Sequence, residues 1–375
     1  STQAKTLFPY TTLFRSWKYD QLVNEALLKN ELIYSCISMK ANATTNIGMK
    51  IYDKKSGEHL PEHPLQKLLE RPNPWMTQND FWENVIFNLD LAGLAPFQKI
   101  RNGAGDVIQL WPMRPDKLGF KRASTAFIAG FAYRAEDGYE YELKPDQVMF
   151  FIHRDPRDPL KPISRALIAG RQIDVDNAET DHMMKHWESG GMPRVALVSK
   201  QKLTKEQITQ GRQNWTERYG GYQNWQTPVV LDGETTVQML GFSFKDMGLE
   251  IIDGRTETRT CMVMRVPPIV IATMFGLSRS TFSNAETIIR GWWENVNQPQ
   301  FNKLADQINL DVTPLFGDDI EARWDYANVP ALQTDRNDKV TRGAILYTKG
   351  LATKNEARVE AGMEETDDPS GEEFI

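Results

Sequence analysis

Apolar residues recur at near-helical spacing over residues 19–46 (Leu22, Ala26, Leu27, Leu32, Ile33, Ile37, Ala41), which predicts a helix with one buried face. A strand follows at residues 49–52 and turns at Lys55-Ser56-Gly57. A short helix at residues 64–70 stops at Arg71-Pro72-Asn73-Pro74. Proline there cannot donate the helical hydrogen bond and pushes its predecessor toward extended backbone. Thr77 caps a helix running to Gly93, with Phe81, Val85, Leu89 and Ala92 on one face. Residues 97–101, 107–112 and the run 118–141 read as antiparallel strands, with turn signals at Asn102-Gly103 and Asp137-Gly138. The apolar run 148–153 predicts a buried strand. Together these elements make an α+β domain over residues 17–163.

Ser164 opens a long helix, residues 165–189, closed by Gly190-Gly191. At ~1.5 Å per residue it spans about 37 Å. Its centre carries Asp174, Asp176, Glu179 and Asp181 with no basic residue between them, by itself a solvated face. Residues 191–245 form a compact unit: a strand at 194–199, an amphipathic helix at 204–219, and a hairpin of 228–231 with 237–240. Residues 220–225 read as an exposed, turn-rich linker. A second long helix, 246–266, contains Gly248 and Gly254, so a bend is expected.

Pro267-Pro268 ends that helix, and the loop 267–283 has its own punctuation. An apolar run reaches Phe275, the chain turns at Gly276, and a small polar tip holds Ser278, Arg279, Ser280 and Thr281, with Arg279 the loop's single charge. Loops of this size with internal proline and glycine are usually functional. Ser283-Asn284 caps a helix over 284–308, with Glu286 in its first turn and Ile288, Trp292, Val296 and Leu304 placed for packing. Helices at 335–348 and 354–362 precede an acidic tail, 364–373, that reads as disordered.

A chain of 375 residues has room for two or more cored domains, and 40% hydrophobic with 25% charged residues is ordinary for a soluble protein. No apolar run reaches the ~18–20 residues that cross a bilayer. Cys36 and Cys261 are the two cysteines, so a disulfide framework is not expected and a reducing cytoplasm is the natural compartment. The net charge of −6 argues against a conventional DNA reader, which clusters Lys and Arg on phosphates. It suits a conduit, where every strong phosphate contact is a brake, and equally a protein with no DNA role. Residues 6–16, TLFPYTTLFRS, match the translation of a sequencing-adapter oligonucleotide. Fold reasoning therefore begins at Trp17, with the natural amino terminus expected upstream.

Candidate chemistry is thin. His153, Asp155 and Asp158 offer metal-ligand types, but Pro156 and Pro159 break helical spacing. His182 and His186 sit at i and i+4, with Met183 where a metalloprotease places glutamate. Neither a phosphate-binding glycine loop nor a nucleophile elbow occurs in the sequence. The tryptophans are dispersed over several elements, which favours core and interface anchoring over a stacking platform.

Five motifs carry a resemblance. VPP, the loop, TFSNAE and WWENVNQP (residues 266–299) come with HPLQKLLERPNPWMT (63–77), GAGDVIQLWPMRPDKL (103–118), LKPDQVMFFIHR (143–154) and LATKNEARVEAGM (351–363). In this order they resemble the portal proteins of tailed bacteriophages, the HK97-like family. The pattern departs from it at Gly93-Leu94-Ala95-Pro96 and at Arg265.

The resemblance implies an α+β portal-type subunit: wing (17–163), first stem helix (164–190), small α/β clip (191–245), second stem helix (246–266) and tunnel loop (267–283). A wing-return helix and strand (284–334) and crown-side helices with the acidic tail (335–375) complete it. It further implies a dodecameric ring passing double-stranded DNA without sequence specificity. Expected partners are the large terminase subunit, the major capsid protein and the neck and head-completion proteins. The expected location is the virion, with assembly in the host cytoplasm. Asp174, Asp176, Glu179 and Asp181 would face the channel, and Ser278, Arg279, Ser280 and Thr281 would approach DNA. No enzyme activity, cofactor, metal or membrane is expected. The alternatives are a monomeric or dimeric DNA- or protein-binding module and a metal-dependent hydrolase using His153, Asp155 and Asp158.

Overall fold

Asn30 divides the first helical segment in two. A computed structural model describes residues 18–122, 128–136, 138–188, 195–199, 203–219, 235–239, 249–278, 282–363, 366 and 368–373. In it α1 (Tyr19–Gln21) runs into a wider π-type turn (Leu22–Leu28). Then α2 (Glu31–Thr45) starts afresh, with the Asn30 side-chain oxygen accepting the Ile33 N–H at 3.0 Å. The single helix expected over 19–46 is broken because a capping side chain stands in mid-segment.

The chain continues through β1 (Met49–Asp53), α3 (Pro64–Glu70) and α4 (Gln78–Leu91), then β2 (Leu94–Arg101), β3 (Val107–Pro112), β4 (Leu118–Lys121), β5 (Gly130–Arg134), β6 (Glu140–Leu143) and β7 (Val148–Ile152). Thr77 and Asp80 cap α4 reciprocally. The strands form two antiparallel sheets, β3-β2-β7 and β4-β5-β6. Met149 and Phe151 of β7 enter the main core, while Val148, Phe150 and Ile152 join a smaller cluster with Leu118 and Phe131. Burial on both faces explains why VMFFI is an unbroken apolar run.

Strand β2 begins three residues before its expected start at Phe97. Pro96 is tolerated inside it because its carbonyl accepts the Met113 N–H at 2.9 Å, so its nitrogen faces the same edge, past the last β3 pair at Phe97–Pro112.

A small hairpin, β8 (Arg154–Asp155) and β9 (Asp158–Pro162), leads to the long α5 (Arg165–Glu188). Next come β10 (Val195–Ser199), α6 (Lys205–Tyr219), β11 (Thr235–Met239) and α7 (Leu249–Met264). Strand β11 pairs antiparallel with β10. The hairpin partner expected at 228–231 lies outside the described residues. Helix α7 passes through Gly254 unbroken.

The last third contains α8 (Met274–Ser278), α9 (Phe282–Trp292), a π-type turn (Trp293–Asn297), α10 (Gln298–Asp311), β12 (Ile320–Trp324), α11 (Pro330–Thr348) and α12 (Lys354–Glu360). Pro299 does not end the helix. It sits in the first turn of α10 directly after the π-type turn, where a missing N–H leaves no hydrogen bond unmade.

Strand β12 returns to pair with β1, Met49 opposite Trp324. The Trp324 ring lies 4.7 Å from Trp82 and 5.6 Å from Phe301, and its N–H donates to the Phe301 carbonyl at 2.7 Å. Phe81, Phe97 and Phe151 extend this aromatic core, each favourable ring pair adding roughly 0.5–1.5 kcal/mol. Trp75 and Trp187 stay exposed. The acidic tail, expected to be disordered, folds back in its described part. Asn355 Oδ1 accepts the Thr366 N–H, Lys354 Nζ donates to Ser370 Oγ, and Glu373 O accepts the Lys354 N–H. Polar donors and acceptors on α12 hold it where apolar burial would not.

Candidate functional site at the stem and its loop

Helices α5 and α7 pack antiparallel. Glu179 lies beside Asp253 at one end, and Arg165 shares a cleft with Met262 and Arg265 at the other. The root of α5 is fixed by a buried charge network. Lys40 of α2 pairs with Asp90 of α4, both side chains essentially inaccessible, and Arg165 Nη1 reaches Asp90 Oδ1 at 2.8 Å and Gln300 Oε1 at 3.1 Å. Burial pulls the Lys40 amine down to about 8 against the opposing pull of Asp90. The paired cations hold Asp90 below its usual range despite full burial. The sequence signal was present: Lys40 falls on the buried stripe with Ile33, Cys36, Ile37 and Thr44.

The four stem carboxylates do not make one stripe. Ile173 and Asn177 mark the buried face of α5, and at ~100° per residue Asp176 and Glu179 fall on one flank of it, Asp174 and Asp181 on the other. Asp176 Oδ2 accepts from Asn30 at 2.7 Å, and Asp181 pairs with Lys29 at 3.0 Å. The basic partner missing within α5 thus comes from the first segment of the chain. Burial, then Asp253 and Asp176, push Glu179 above the usual carboxylate range; burial does the same to Asp176.

The loop is largely self-folded. Helix α7 ends in a Schellman motif, with Val266 N–H bonded to Cys261 O at 3.0 Å and Arg265 N–H to Met262 O at 3.2 Å. Arg265 holds the left-handed position (φ 58°), which costs a non-glycine residue about 1 kcal/mol. The Trp292 indole donates to the Arg265 carbonyl at 2.9 Å, tying α9 to this turn. Thr273 then staples the loop to the stem, its hydroxyl donating to the buried Glu257 of α7 at 2.5 Å and accepting the Gly276 N–H at 3.2 Å. Gly276 has no room for a Cβ, which would lie 2.5 Å from Pro268 C. Ser278 is exposed at the end of α8, the short helix the sequence did not announce. Arg279, Ser280 and Thr281 lie outside the described residues.

The metal-ligand candidates separate. Asp155 is taken by Arg157 (2.9 and 2.6 Å), which holds it down to about 2, and Asp158 by Arg122 at 2.6 Å. His153 is driven down to about 4 by burial and then by Arg165. Among the described residues no three His, Cys, Asp or Glu side chains converge on a metal position. Cys36 and Cys261 are both buried as free thiols. Their contact, together with burial, pushes the Cys36 thiol far above its normal range.

His153 yields a pH prediction. Folded, it stays neutral down to about 4; unfolded, it takes a proton below its ordinary 6.5. The unfolded chain therefore binds more protons between these values, and stability falls as pH drops through that window, by up to about 3 kcal/mol. Urea midpoints at neutral pH and at about pH 4.5 should converge more for His153→Gln than for wild type. An equal acid loss in both proteins refutes the assignment.

The architecture is thus an α+β body, two long antiparallel helices rooted in it, a small α/β unit between them in sequence and a self-capped loop after the second. The phage portal protein family model matches residues 31–362, and the chain belongs to that family, which is structural and not enzymatic. It is 23% identical over 354 residues to the portal protein of Enterobacteria phage HK97, covering 90% of this chain and 80% of that one. An uncharacterised protein of Rickettsia bellii is 24% identical over 348 residues, covering 90% of this chain and 88% of the relative. Two solved structures share the fold: a chain in the neck of an empty gene transfer agent particle (TM-score 0.73, 20% identity) and one in the neck of the native particle computed with C12 symmetry (TM-score 0.70, 19% identity). Each covers 94% of this chain and 96% of the other.

Proposed function

We propose that this chain is the subunit of a ring at one capsid vertex, through which double-stranded DNA enters during packaging and leaves at infection. The observation that carries the reading is the family match over residues 31–362, which spans both stem helices and the loop between them. The twelve-fold neck of the gene transfer agent supports a dodecamer located in the virion, and assembly in the host cytoplasm is part of the same proposal. Helices α5 and α7 form the channel wall. Asp174, Asp176, Glu179 and Asp181 act through their summed field, which reaches ~8–10 Å in physiological salt and weakens phosphate adhesion without a shared face. Residues 267–283, with Ser278, Arg279, Ser280 and Thr281 at the tip, approach DNA. One cation per subunit gives loose backbone contacts without base readout. The unit around β10, α6 and β11 docks the large terminase subunit and later the neck and head-completion proteins, and the outer body meets the major capsid protein.

Negative-stain microscopy with a solution mass tests the reading: rings with a central hole are expected, and a chain that stays monomeric at all concentrations defeats it. Arg279→Ala should leave rings intact and change DNA retention in packaged particles. Loss of rings in that variant would contradict the loop assignment.

A further inference from the structure

At the root of the stem lies a cleft of about 590 Å³ whose lining is cationic and apolar. His153, Arg154, Arg165, Arg265 and Lys303 line it, and among the described residues no aspartate or glutamate does. Arg165 is engaged with Asp90 and Gln300, and Arg154 donates to the Pro159 carbonyl. Arg265 and Lys303 are exposed and, among the described residues, have no carboxylate within ion-pair distance. The buried His153 Nε2 likewise has no hydrogen-bond partner among the described residues.

Arg265 is the informative member. It occupies the left-handed residue of the Schellman turn, a position that glycine fills without strain. The turn itself gains nothing from a long cationic side chain, whereas the cleft does. Met262, Arg265, Asn295 and Val296 also line a second, mainly apolar groove of about 660 Å³, so the two run together around Arg265. Met262 is 69% exposed at this junction. Cations flanking an open apolar trough suit a carboxylate carried among apolar side chains, as on a protein surface, better than a polynucleotide backbone.

We infer that the cleft accepts a carboxylate side chain of an adjacent copy of this chain, with Arg265 its principal partner and Lys303 beside it. The inference rests on the ring reading above. A chain with net charge −6 that keeps a cleft whose charged lining residues, Arg154, Arg165, Arg265 and Lys303, are all basic is complementary to its own acidic surface. Cyclic assembly joins two different patches of one molecule, so the cleft is incomplete until the neighbour arrives.

The test is ring assembly of the full chain against protein concentration, by mass photometry at low and high salt, for wild type, Arg265→Gly and Arg265→Glu. Arg265→Gly relieves the strained turn, so its thermal midpoint should equal or exceed wild type, yet half-assembly should need about tenfold more protein. Arg265→Glu should fold and assemble least. A purely structural Arg265 predicts the reverse order, with Arg265→Gly assembling as well as wild type, and that result overturns the inference. If Arg265→Gly assembles normally but loses salt-sensitive binding to a DNA duplex or to inorganic phosphate, the occupant is a phosphate and the inference is wrong. A wild-type chain that never forms rings removes the ring reading and this inference with it, an outcome distinct from rings indifferent to Arg265.

Discussion

Lys40→Ala should lower folding stability by about 3–5 kcal/mol, because it leaves the Asp90 carboxylate buried with half its compensation gone. The Lys40 side chain is 0% exposed and Asp90 1%, so water cannot replace the lost ammonium. Arg165 remains on the other carboxylate oxygen at 2.8 Å, which keeps the loss from the top of that range. A neutral pair of similar volume, Lys40→Met with Asp90→Leu, should recover part of the stability while freeing Arg165 from the root of α5. Urea unfolding of the single and double variants reads both effects. A single-variant loss below about 1 kcal/mol would mean that the network is hydrated and structurally idle.

Gly93→Ala is expected to be comparably severe for a different reason. Gly93 joins α4 to β2 with φ +75°, and a Cβ there would lie 2.4 Å from the Ile163 carbonyl oxygen. The left-handed conformation alone costs about 1–2 kcal/mol. The clash is with backbone at the entry to α5, so a main-chain shift adds roughly 1–3 kcal/mol more. Gly57 separates the two terms, since it shares a positive φ of 70° but has nothing within 4 Å. Gly57→Ala should lose only the conformational part. If thermal melts show equal losses at the two glycines, the contact with Ile163 is not what constrains Gly93.

Much of the fold was legible because its elements announce themselves locally. Thr77 with Asp80, the Pro64 start of α3 and the VMFFI run of β7 each follow from neighbouring residues. The misses occur where a distant partner decides. Nothing near Pro96 shows that its nitrogen faces an edge beyond β3. The stem carboxylates looked unaccompanied because Lys29 and Asn30 lie more than a hundred residues upstream. The loop was recognisable from its proline and glycine, but the staple from Thr273 to Glu257 joins residues with no pattern between them. The buried Lys40 could have been found from a charge on an apolar helical stripe. Its partner Asp90 shares only the fact of standing on another such stripe.

The pairing of β1 with β12 sets the timetable on which this molecule is made. Residues 54–319 separate the two strands, so the ribosome must emit almost the whole chain before the first strand finds its neighbour. Until then the face of Ile51 and the Trp82 ring stay partly uncovered, while α6 and the β10–β11 pair can already close locally. Such a high-contact-order closure is slow and exposed to aggregation. Nascent chains truncated before Ile320 should therefore be protease-sensitive in the body even where the unit of β10, α6 and β11 is protected.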